Sequence, residues 1–223
     1  NSGYTTASQA ASNIFSTVNT ANLVLIPCLA VLGVGIAGLC GVIRRLTWQD
    51  GILFWHDFWQ SIKENGGIFA CTGAICGGLN WATQYCLRLQ YFDNGTLAQV
   101  SLVIAIIATV LFATISPILL CQSLVYKLPY LAKLKNAFLL SMRQPLVSFG
   151  LLIGNAAPWL LMLIDNKYTF VAFLVLLPIV VMPAQLIANL LCCDIVLDKF
   201  VNKEHFPQIY RKGLNYDASD NNA

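Results

Sequence analysis

Apolar positions in this chain cluster into five long runs, near residues 22–43, 68–87, 97–125, 146–164 and 170–196. A helix needs about 20 mainly apolar residues to cross the hydrocarbon of a bilayer, and each run is of that order. The runs are continuously apolar rather than alternating, which argues against the strands of a membrane β-barrel. The pattern therefore predicts an all-α fold: a polytopic transmembrane helical bundle of about five spans, built as a single domain over 1–223 with a cytoplasmic tail over 197–223. The first residue is Asn1 rather than Met, so further residues are expected upstream. No basic segment leads into a short apolar core with a small-residue cleavage site, so a signal peptide is not expected.

Composition supports a lipid environment. The chain is 57% hydrophobic and 10% charged, whereas soluble domains carry about 25% charge. The placement of charge predicts orientation. Eleven basic residues fall in the first connection (Arg44, Arg45, Lys63), the third (Lys127, Lys133, Lys135, Arg143) and the tail (Lys199, Lys203, Arg211, Lys212). Only Arg88 and Lys167 fall in the second and fourth. The positive-inside rule puts the eleven in the cytoplasm and, with an odd span number, the amino end outside. Asn94-Gly95-Thr96 in the second connection has the form of a glycosylation sequon, and equally the chemistry of a tight turn.

The polar connections carry pattern of their own. In TWQDGILFWHDFWQSIKEN, the residues Trp48, Ile52, Trp55, Trp59 and Ile62 recur at helical spacing. Asp50, Asp57, Gln60, Lys63 and Glu64 lie on the other side, and Thr47 with Asp50 resembles a capping box. The segment from Thr47 to Asn65 is expected to form an amphipathic helix in the membrane interface, with the tryptophans at headgroup depth. Its acidic face (Asp50, Asp57, Glu64) is a candidate docking surface for a cytoplasmic protein. The third connection, YKLPYLAKLKNAFLLSMRQP, places Leu131, Leu134 and Phe138 on one face beside Lys133 and Lys135. FWQSIKEN (from Phe58) aligns with FLLSMRQP (from Phe138), which hints at a parallel internal repeat.

Within the apolar runs, small residues recur every four positions: Gly33, Ala37 and Gly41; Gly73 and Gly77; Gly150 and Gly154; Ala184 and Ala188. Such stripes let helix backbones approach closely in lipid. Polar residues there are candidates for a path: Asn80 and Gln84 ahead of Arg88, then Gln185 and Asn189, with Asn155 nearby. Interhelical hydrogen bonding is the plainer alternative. Pro27, Pro117, Pro178 and Pro183 can kink their helices. The eight cysteines read as small packing residues. No metal, cofactor or nucleic-acid site is expected, and no catalytic motif suggests an enzyme.

With this topology the chain resembles the YesL-like integral membrane proteins of bacteria. Four features carry the likeness. Pro27 is followed by GVGIAGL and then Arg44 and Arg45. WHDFWQSIKEN holds a Phe-Trp pair before a basic helix end. Pro129-Tyr130 follows the long third run, and KNAFLLSMRQP leads into the fourth. The resemblance implies a bacterial plasma membrane and an accessory role in sugar uptake, with subunits of an ATP-binding-cassette importer as partners. It supplies no catalytic residue. Neither connection shows the coupling-helix pattern of the importer permeases themselves. Two functions follow as expectations: an accessory or scaffold subunit, which could also self-associate, or a small transporter or channel lined by Asn80, Gln84, Gln185 and Asn189.

Overall fold

The computed structural model describes residues 2–92, 95–164 and 167–212. Among these the chain is helical and without strands. Helix α1 spans Ser2–Thr47, α2 Phe54–Phe92, α3 Thr96–Val125, α4 Tyr130–Arg143 and α5 Pro145–Ala156. A 3₁₀ segment, Ala157–Leu163, extends α5. Helix α6 (Lys167–Leu176) passes through a π-turn into α7 (Met182–Leu197), and a second π-turn, Asp198–Asn202, carries the helical run on to His205. The chain divides into two compact units, Asn1–Ile36 with Gly66–Ala113 and Ala37–Asn65 with Thr114–Ala223.

Local chemistry explains the breaks. Helix α1 ends in a Schellman motif: Gln49 adopts φ 55°, its N–H donates to Leu46 at 3.2 Å, and Asp50 N–H donates to Arg45 at 3.0 Å. Thr47 therefore does not open a capping box. Its hydroxyl bonds back to the Arg44 carbonyl at 2.9 Å. The next helix starts at Phe54, where the Asp57 carboxylate reaches back to the Leu53 N–H at 2.9 Å. From there α2 runs unbroken for 39 residues, so the expected interfacial helix is the first part of α2 rather than a separate element. Pro145 pushes Gln144 out of helical geometry (φ −128°, ψ 66°), and α4 meets the α5 run at 104°. Pro158 removes an N–H and the α-helix tightens to 3₁₀ there; Pro178 lies in the first π-turn, where the ladder widens instead.

Among the described residues, three helical stretches are long and apolar enough to cross a membrane: Ser12–Thr47, Thr96–Val125 and Phe170–His205. The bent pair Tyr130–Arg143 and Pro145–Leu161 makes a fourth if counted as one span. These helices are compatible with a membrane protein. The expected total of about five is not reached by this measure. The run near 68–87 is long enough within α2 but diluted by Thr, Gly, Asn and Gln.

In the first unit the predicted small-residue stripes seat α1 against α2. A Cβ on Gly33 would lie 2.5 Å from the Phe69 carbonyl oxygen, and one on Gly77 2.9 Å from the Ile26 Cα. One on Gly73 would collide with the Leu29 carbonyl. Trp81 Nε1 donates to Asn19 at 2.9 Å, and Thr83 and Thr109 share a 2.9 Å bond between α2 and α3. In the second unit Gly38 lies under the Phe58 ring and Gly41 under Ser61. The Ser61 hydroxyl donates to the Ala37 carbonyl at 2.6 Å. Ile118, Leu119, Cys193, Val196 and Leu197 form a fully buried core there.

Candidate functional surfaces

The start of α2 is polar inside and aromatic outside. Asp57, Ser61 and Asn65, four residues apart, are buried. Trp55 is 71% exposed and Trp59 55%, with Leu53 and Phe54 also outward. Asp57 is 2% exposed and forms a 2.9 Å ion pair with Arg45 while capping α2. Arg45 also bonds Gln60 at 3.2 Å. The three acidic residues expected on one docking face are thus divided. Asp57 turns inward and is spent on structure. Asp50 is exposed and pairs with Lys212 at 3.3 Å, and Glu64 is exposed and accepts a bond from Gln60 at 3.0 Å. Trp48 carries the Arg44 guanidinium at 5.1 Å and the Lys212 ammonium at 5.0 Å from its ring centre.

Helix α4 buries a mixed face and shows both apolar and charged residues outside, Lys135 and Arg143 among them. Lys133, Ala137, Leu140 and Ser141 are buried, while Leu131, Phe138, Leu139 and Met142 face out. The apolar face expected around Leu131 and Phe138 is therefore the outer one. Ser61 and Ser141, matched in the alignment of the two connections, are both buried. So are Asp57 and Ala137 one turn earlier. The phase is not kept beyond these pairs: Asn65 is buried and its match Pro145 exposed.

The four residues of the expected path fall in different units. Asn80 and Gln84 are half-buried in the first. Gln185 and Asn189 lie in the second, where they tie α7 to α5. The Asn155 and Asn189 side-chain amides bond reciprocally at 3.1 and 3.0 Å. Gln185 Nε2 donates to the Asn155 carbonyl at 3.0 Å. Beside these bonds runs a groove of about 360 Å³, lined by Gly150, Gly154, Ala188 and Cys192 among others. Among the described residues a Cβ on Gly150 or Gly154 would meet nothing within 4 Å, and Ala184 and Ala188 are exposed.

Asp194, Asp198 and Asn202 repeat every four residues at the end of the last helical run, and the structure joins Asp198 and Asn202 to Tyr126 in a polar network. Tyr126 hydrogen-bonds Asn202, whose Nδ2 donates to Asp198 Oδ1 at 2.5 Å. Asp198 Oδ2 accepts from the Arg211 N–H at 2.9 Å. Burial first, then the nearby Asp198 and Asp194 carboxylates, push the Tyr126 phenol above its ordinary range, which keeps it protonated. Arg143 stacks on Phe200 at 4.2 Å. Asn94 of the sequon lies outside the described residues. The described cysteines are free thiols. Comparison of the chain with family models, curated proteins and solved structures finds no match.

Proposed function

We propose that the chain is a five-span plasma-membrane protein, amino end outside, that serves as an accessory or scaffold subunit by seating a partner's transmembrane helix in the α5/α7 groove. The membrane reading is supported by the long apolar helices and by the many large apolar side chains they expose, an outer surface that favours an apolar solvent over water. Two further spans complete the count. Helix α2, at 39 residues, measures about 58 Å at 1.5 Å per residue. Helix α5 and its 3₁₀ extension together measure about 32 Å, against a hydrocarbon core of about 30 Å.

The observation that carries the scaffold reading is the groove itself. Its glycines and alanines allow close backbone approach, yet among the described residues nothing meets Gly150 or Gly154. The amides beside it are spent on one another and on backbone carbonyls, which supports packing over a solute path along Gln185 and Asn189. The YesL-like resemblance suggests a sugar-importer permease as the partner. Affinity purification in mild detergent tests this: a permease subunit at stoichiometric ratio is expected. Solute flux through liposomes holding this protein alone would favour the transporter reading instead, and self-association through the groove would make the partner a second copy.

A further inference from the structure

The second unit holds another cavity of about 360 Å³, where the end of α3 meets α4 and the second π-turn. Its wall is largely apolar, with Leu139, Leu140, Phe200 and Phe206. Gln122 also lines it and is 2% exposed, yet neither Oε1 nor Nε2 has a hydrogen-bond partner among the described residues. Buried amides are ordinarily satisfied, because leaving one unpaired forfeits its hydration with no return. Tyr126, the other buried polar residue of the lining, is already committed, while Asn136 and His205 are exposed. Tyr126 is taken by Asn202, Asn202 by Asp198, and Asp198 by the Arg211 backbone.

The chemistry of the missing partner follows from the amide. Gln122 presents a donor and an acceptor side by side. A carboxylate offers only acceptors and would leave Oε1 unmet, and a carboxylic acid meets both atoms only while it stays protonated, which neutral pH disfavours. An ester or ketone meets Nε2 alone. A cis-arranged amide, as in a primary amide or lactam, meets both atoms in one planar pair. We infer that this cavity binds a neutral amphiphile with an apolar body and an amide head, held head-first on Gln122. The volume lies within the range of small-molecule sites, and Leu128, Leu139 and His205 are exposed at its rim, which leaves a way in. This inference is independent of the partner helix, because no residue of the α5/α7 groove lines this cavity.

The test is equilibrium binding of radiolabelled dodecanamide to the full chain in nanodiscs, with unlabelled methyl dodecanoate and dodecanoate as competitors. Saturable amide binding is expected, with each competitor at least tenfold weaker. Gln122→Leu should lose that binding by at least tenfold, with a melting temperature equal to or above the wild type, since the unpaired amide is gone. Non-saturable amide uptake, an ester that competes equally, or wild-type binding by Gln122→Leu would each overturn the inference. The amide-against-ester comparison uses wild-type protein alone, so it decides the matter even if the variant fails to fold.

Discussion

Two glycine stripes with the same spacing meet different surroundings. Gly33, Gly73 and Gly77 lie against the facing backbone so closely that no Cβ fits. Gly150 and Gly154, on α5, face open space beside exposed Ala184 and Ala188. The first stripe is explained by packing within its own unit. The second is not, and amide bonds beside it already hold α5 to α7. The difference teaches that four-residue spacing marks a surface able to take a helix at close range, while only the fold tells whether that surface is already filled.

Substitutions should separate the stripes. Gly73→Leu is expected to have the largest effect, because its side chain would have to displace the Leu29 backbone. Overpacking usually costs about 1–3 kcal/mol, and with backbone as the obstacle the loss should reach the top of that range or leave no folded protein. Fluorescence-detected size exclusion and thermal unfolding in detergent would read it. Gly150→Leu, by contrast, should leave stability unchanged or raise it by under about 1 kcal/mol through helix propensity. Its expected effect is loss of partner.

The start of α2 allows a second comparison, between an acid turned inward and one turned outward. Asp57→Ala removes an ion pair with Arg45 and the cap on Leu53. Arg45 keeps part of its exposure, so the expected loss is about 2 kcal/mol, above the roughly 1 kcal/mol of a cap alone. Asn155→Ala should cost less, near the 0.6–1.7 kcal/mol measured for interhelical hydrogen bonds in membranes, roughly. Asp50→Asn breaks only an exposed pair with Lys212. Its expected effect is under about 1 kcal/mol and should vanish in high salt. Thermal unfolding of the three variants side by side checks the order.

The all-helical character was legible because apolar runs speak directly to burial and length. The small-residue stripes were legible for the same reason: spacing is a property of sequence. The inward turn of Asp57 was not. Periodicity assigns residues to faces, but assigning a face to the interior assumes which solvent lies outside. In an apolar solvent the assignment would invert, and Asp57, of the face read as an acidic docking surface, does lie in the interior. The start of α2 was missed because Gln49, a non-glycine residue in the left-handed region, gives no composition signal for the Schellman stop. The groove and the unpaired Gln122 depend on what stands opposite, which spacing along one chain does not encode.

The central claim, that the α5/α7 groove holds a partner's transmembrane helix, is tested most directly by photo-crosslinking in the native membrane. A photoreactive residue placed at Ala188, inside the groove, should give a discrete adduct with a transmembrane segment of a sugar-importer permease. The same residue at Val103, exposed on α3, should give lipid adducts only, and Gly150→Leu should abolish the Ala188 adduct without lowering the melting temperature. Lipid adducts alone at both positions, or an Ala188 adduct that survives Gly150→Leu, would contradict the account.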